Sequence, residues 1–218
     1  MLSRAKDLPR IFEGLVKEAK AADAKKDWKL KFRLAIVALH LGDSSIAADV
    51  HQRDRTDPTQ QTVFIHDVFP TWHGDLNHLA EQLQEVKDEP LRAGICLSLG
   101  KLTELGDARQ TLADLLSQWY LESPDSGTHG AAGWALRQWN VELPKIVGSG
   151  TDSPDRDWKV TPHGFTMVRI PAGQFVRTVT TRRTAQKVTP SKQKVRLTRD
   201  FWLSNVEVSV GLLAQLPH

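Results

Sequence analysis

The sequence predicts a mainly α-helical chain that ends in a short, incomplete region of mixed α and β structure. Three observations carry this reading. Through the first two thirds, apolar residues recur at three- and four-residue spacing. Around residues 146–157 that pattern lapses into Gly, Ser, Pro and Asp. Beyond it, apolar residues alternate with polar ones, the period of a half-buried strand. The expected division is a helical domain over 1–145, a linker over 146–157 and a strand-rich piece over 158–218.

Each element follows from local signals. Asp7 is placed to cap a helix with Pro9 in its first turn, followed by Ile11, Phe12, Leu15, Val16 and Ala19 at helical spacing. A second helix runs from about Asp27 through Phe32, Ala35, Ile36 and Leu39 to Gly42-Asp43. Asp75 precedes the stripe Leu76, Leu79, Ala80, Leu83 and Val86. Pro90 opens a helix carrying Ala93, Ile95, Cys96, Leu97 and Leu99 to Gly100. Asp107 begins the next, with Leu112, Leu115, Leu116 and Trp119, and Gly130 to Trp139 forms the last. Ala35-x-Val37-Ala38-Leu39-x-Leu41-Gly42 matches Ala93-x-Ile95-Cys96-Leu97-x-Leu99-Gly100, and Ala131 to Leu136 is a looser third copy. Short helices with such internal similarity resemble a HEAT-type helical repeat, whose units bury apolar faces on their neighbours. The alternative is an irregular helical bundle.

After the linker, Val168/Ile170, Val195/Leu197, Phe201/Leu203 and Val206/Val208 form period-two pairs. Pro171-Ala172-Gly173 turns the chain into Gln174-Phe175-Val176, and Ser209 is placed to cap a short helix, Val210 to Leu216.

Composition narrows the function. The chain has 218 residues, 40% hydrophobic and 25% charged, with net charge +3. Eight Lys or Arg and no Asp or Glu lie between Arg177 and Arg199, so the basicity is local. That segment, 177–199, reads as a solvated hairpin loop, with anion or nucleic-acid binding as the alternative. No apolar run reaches the roughly 18–20 residues of a membrane span. The N-terminus leads into charged helix-like sequence, so a soluble protein is the expectation, and the single cysteine makes a reducing, cytoplasmic setting the default. The single cysteine, Cys96, lies in an apolar run and can form neither an intramolecular disulfide nor a thiolate cage. His66, Asp67, His73, Asp75 and His78 fall close together but match no standard ligand spacing. Trp119, Trp134, Trp139 and Trp202 read as core. The residues thus assign no catalytic, cofactor-binding or metal-ligating position.

Two phrases add a resemblance. Met167-Val168-Arg169-Ile170-Pro171-Ala172-Gly173-Gln174-Phe175 is followed by Val195-Arg196-Leu197-Thr198-Arg199-Asp200-Phe201-Trp202-Leu203-Ser204-Asn205-Val206-Glu207-Val208-Ser209. Together they resemble the opening of the formylglycine-generating enzyme family, the sulfatase-modifying factor domains, over about residues 164–209. The resemblance implies a C-type-lectin-like α+β domain and, in aerobic members, copper held by two cysteine thiolates that oxidises a substrate cysteine to formylglycine. Three departures stand against full function: Val176-Arg177-Thr178-Val179 replaces the usual turn, Val210 to Leu216 lacks the family's aromatic residues, and no cysteine follows Cys96. The implied protein is a truncated family member without its copper site, inactive by itself and binding a protein partner. The alternative is the docking half of an enzyme completed by another polypeptide. Strand faces left uncovered by such a truncation would be poorly ordered, dock on the helices or self-associate. Asp57 to His66 and Gly127 to Trp139 further resemble the segment between a kinase and a formylglycine-type domain in large bacterial proteins. No glycine-rich loop, H-R-D or D-F-G is present in this sequence.

Overall fold

The computed structural model describes residues 2–52, 57–68, 72, 74–146, 155–161, 165–184 and 187–207, with backbone alone at 2–6, 68, 180–184 and 187–190. The chain divides into two compact units, Met1–Ile146 and Val147–His218. The first holds eight α-helices among the described residues: α1 (Leu2–Ala24), α2 (Trp28–His40), α3 (Ser45–Val50), α4 (Thr59–Val63), α5 (Leu76–Gln84), α6 (Glu89–Leu99), α7 (Arg109–Glu122) and α8 (Ser126–Gln138). A π-helical turn, Phe64–Val68, continues α4.

Aspartates set many of the helix starts. Asp27, Asp75, Asp88 and Asp125 each accept a backbone N–H of the first turn with a side-chain oxygen, satisfying donors that a helix leaves bare. Gly42 closes α2 with φ +90°. Its N–H donates to the Leu39 carbonyl and that of Asp43 to Ala38, a Schellman turn that needs the left-handed conformation glycine adopts freely.

Four sequence expectations shift. Helix α1 starts at Leu2, so Pro9 lies inside it and not in its first turn. Proline has no N–H, so its helical acceptor goes without that bond. Asp107 sits in a 3₁₀ turn, Gly106–Ala108, and the cap of α7 is Ala108, which makes no side-chain bond. Helix α8 begins at Ser126, four residues earlier than its apolar pattern, because Asp125 caps it. Leu97 is only half-buried, whereas Ile95 and Leu99 are fully enclosed.

Helix α6 occupies the middle, against α3, α8 and the π turn, while α1 packs on α2 and α7 on α8. Small residues allow the close approaches. A Cβ at Gly100 would lie 2.9 Å from the Ala135 Cα of α8, and one at Gly133 would lie 2.9 Å from the Tyr120 ring of α7. The matching segments of α2 and α6 do not occupy equivalent places. Ile95 is fully buried, but its counterpart Val37 is 43% exposed, because α2 has one free face and α6 has none.

The second unit contains β1 (Trp158–Val160), β2 (Thr166–Ile170), β3 (Gly173–Thr184), β4 (Lys187–Leu197) and β5 (Phe201–Ser204). An antiparallel sheet runs β1-β2-β5, and β3 and β4 form a separate antiparallel ribbon. The segment expected as a solvated hairpin loop is thus mostly strand. Its β-branched residues (Val176, Thr178, Val179, Thr180, Thr181) favour extended backbone. Pro190, opposite Thr180, is tolerated because each strand of a two-stranded ribbon has an outer edge. The expected helix from Val210 to Leu216 and its Ser209 cap lie outside the described residues, as does most of the 146–157 linker.

The helical core is continuous, so one central truncation tests it. Leu99→Ala should cost about 2–5 kcal/mol, the usual range for a leucine cavity in a packed core. Chemical denaturation of the full chain measures it, and a loss well under 1 kcal/mol would contradict the packing described.

Candidate functional site

Among the described residues Lys31 is the one buried lysine or arginine of the helical unit. It lies on α2 one residue before Phe32, and it is 2% exposed. The stripe Trp28, Phe32, Ala35, Leu39 faces inward, which carries Lys31 in with it. Its Nζ meets Asp23 Oδ1 at 3.2 Å, Asp49 Oδ2 at 2.6 Å and Gln60 Oε1 at 3.0 Å. Gln60 Nε2 in turn donates to Asp23 Oδ1 at 2.8 Å. One ammonium therefore joins α1, α2, α3 and α4. Beside it lies a crevice of about 220 Å³ lined by Val16, Ala19, Lys20 and Ile46. The three acceptors use all three ammonium N–H donors, so Lys31 has no spare donor for a ligand and acts as a strut. A lysine inside an apolar helical stripe was the signal that could have found it.

Two histidine groupings lie nearby. His40 stacks on Trp72 with centroids 4.1 Å apart, and His78 hydrogen-bonds the His40 carbonyl at 3.0 Å through Nε2. Burial chiefly, helped by His78, holds the His40 pKa below its ordinary value, against an opposing pull from Asp75. His51, at the end of α3, donates from Nδ1 to the Ala47 carbonyl at 2.9 Å and meets Phe64 edge-on. It fills the space beside Gly94, where a methyl group would collide with its ring. Burial lowers its pKa; the Ala47 bond and Asp88 oppose that shift.

The residues singled out from sequence do not converge on a site. His66 and Asp67 are exposed on the π turn, Asp75 caps α5, and His78 is held by His40. His73 lies outside the described residues. Among the described residues no group of three or more His, Cys, Asp and Glu could hold a metal ion. Cys96 is fully enclosed in α6, and burial pushes its thiol far above the ordinary range, with Asp125 adding to the shift. A thiol so placed is neither nucleophile nor ligand. Trp119 and Trp139 are core, and Trp134 is half-buried against Gly100. Trp202, expected in the core, is half-buried under the Lys159 ammonium, 4.2 Å from the ring centre. On a three-stranded sheet its face is capped by that cation.

The second unit brings the two distant phrases together. Val168 pairs with Leu203 and Ile170 with Phe201, while Phe175 pairs with Val195 and Gly173 with Leu197. The Ala172 N–H donates to Asp200 Oδ1 at 2.8 Å, joining the two turns. Phe175, Val176, Phe201, Leu203 and Val206 remain exposed. On the helical unit Leu30, Val37 and Leu41 form an exposed stripe along α2.

Two measurements follow. Lys31→Met should destabilise the chain by about 2–3 kcal/mol. That is less than the roughly 3–5 kcal/mol of a fully buried pair, because Asp23 and Asp49 are 34% and 42% exposed and stay hydrated. An unchanged unfolding midpoint would contradict the strut. His51 and His40 titrate lower in the folded chain than in the unfolded one. The unfolded chain then takes up protons first, and stability should fall as pH drops below the ordinary 6.5 of histidine. His51→Gln should reduce that acid loss, as read by melting temperature against pH; an equal slope in both proteins would exclude His51 as a source. Compared with protein-family models, curated proteins and solved structures, the chain matches none.

Proposed function

We propose that the chain is a cytoplasmic two-part scaffold. A HEAT-like helical unit binds a protein partner, and the strand unit represents the opening of a sulfatase-modifying factor (formylglycine-generating enzyme-like) domain. The observation that carries the reading is the meeting of the two phrases. Residues of the two phrases that lie 20 to 37 apart in sequence pair as β2 with β5 and β3 with β4, and Asp200 ties their turns. The α2 stripe of Leu30, Val37 and Leu41 supports the binding role, since it offers an apolar face at helical spacing. Among the described residues no helix is long and apolar enough to cross a membrane.

The chemistry of the resembled family does not fit this chain by itself. A Cu(I) site of that kind needs two soft thiolates. The sequence has one cysteine, enclosed in the helical core with its thiol pushed up by burial. We therefore assign this chain no oxidase activity.

Purified protein incubated with copper and a sulfatase-type cysteine peptide should give no aldehyde by mass spectrometry, and Cu(I) titration should show no two-thiolate site. Aldehyde formation would overturn the scaffold reading. The exposed apolar strand residues should also drive concentration-dependent association in sedimentation velocity. Phe201→Ser with Leu203→Ser should shift the protein to monomer; a wild-type chain that stays monomeric at every concentration would rule that association out.

A further inference from the structure

The β3–β4 ribbon carries a charge pattern that the scaffold reading leaves unused. Alternate residues of a strand share a face. Lys192, Lys194 and Arg196 therefore stand in one row on β4, and all three are exposed. In register across the ribbon they meet Thr178, Val176 and Gln174, so no carboxylate lies opposite them. The segment from Arg177 to Arg199 has eight Lys or Arg and no Asp or Glu. Eight cations against a whole-chain charge of +3 leave −5 for the remaining residues, so the charge is segregated into this segment, with seven of the eight on β3 and β4. Cations two residues apart on a strand sit about 6.8 Å from one another, at ~3.4 Å per residue. Such a row repels itself, and a linear polyanion laid along it would relieve the repulsion.

We propose that this face of the ribbon binds the phosphate backbone of duplex nucleic acid without sequence preference. Several features select this partner. A row of cations fits a repeating anion better than a single one. A two-stranded ribbon is slender enough for the roughly 12 Å major groove of B-DNA. The cationic face holds no aromatic residue, so it lacks the stacking platform by which proteins hold single strands. A lipid surface fits less well. The exposed aromatic of the ribbon, Phe175, pairs with Val195 on the face opposite the cations, so charge and aromatic anchor cannot meet one membrane together. Arg177 is held on that opposite face by the Gln193 side-chain oxygen, at 2.9 and 2.7 Å, and stays out of the row.

The test is fluorescence anisotropy of the full chain with a labelled mixed-sequence DNA duplex over a range of salt. Affinity should fall steeply as salt rises. The K192Q/K194Q/R196Q variant should bind at least tenfold more weakly at low salt. Its log–log salt slope should be shallower by about 2.7, at roughly 0.9 for each phosphate that a removed cation had neutralised. These positions are exposed, and unchanged melting of the variant would establish that it is folded. A charge-matched control on the helical unit, K17Q/K25Q/K29Q, should bind as wild type does. Four results would overturn the proposal: no binding at low salt, an unchanged ribbon variant, an equal loss in the control, or phosphatidylserine vesicles or polyglutamate binding as tightly as DNA at the same salt.

Discussion

Four helices of the first unit are joined through a single ammonium group. Among the described residues no other Lys or Arg is buried, and Lys31 is the point where α1, α2, α3 and α4 share one set of polar partners. Taking a lysine out of water costs several kcal/mol, and that cost is offset only if every donor finds an acceptor. Asp23, Asp49 and Gln60 supply three, and Gln60 also fixes Asp23. The arrangement constrains the spacing of the helices around it. Asp23 must end near the last turn of α1, and Asp49 must sit in the last turn of the short α3. The apolar core then fills the remaining space, with Phe32 edge-on to Phe64 at 5.7 Å.

Farther along the unit, small residues take over this positioning role. Gly94 leaves room for His51, Gly100 for the α8 backbone, and Gly133 for the Tyr120 ring. His129 stacks on that same ring and hydrogen-bonds the Tyr120 carbonyl at 2.7 Å, clasping α7 to α8. Thr128 reaches the Glu89 carbonyl at 3.2 Å and ties α8 to the start of α6. Helices this short have little stability of their own, so these tertiary contacts hold them. The strand unit lacks a comparable set. Among the described residues Trp158 is its one buried apolar side chain, while five large apolar residues of that unit lie exposed.

Much of this was legible in the sequence wherever the deciding signal was local. The caps Asp27 and Asp75, the Pro90 start and the Gly42 stop could be read directly, because a cap acts over three or four residues. So could the strand pairs Val168/Ile170 and Phe201/Leu203, whose alternation is a property of the chain itself. What could not be read was non-local. Lys31 in an apolar stripe makes sense only once Asp23, Asp49 and Gln60 are brought to it from other helices. The ribbon was hidden because its charges read as solvated loop, while its β-branched residues favoured extension. The candidate sites were illegible for another reason. His66, Asp67, Asp75 and His78 are close in sequence, but each has a separate place: His66 and Asp67 are exposed on the π turn, Asp75 caps α5 and His78 bonds the His40 carbonyl.

The helical unit has a self-sufficient core, and the strand unit, among its described residues, does not. Native-state hydrogen exchange of the full chain, read by peptide mass spectrometry, tests it most directly, since amides in a packed core open only with global unfolding. Peptides covering Phe32–Leu39 and Ile95–Leu99 should exchange at the rate of global unfolding, with Met167–Leu203 exchanging far faster. Equal protection across both regions in a monomeric sample would contradict the account, because it would mean that the strands possess a complete core of their own.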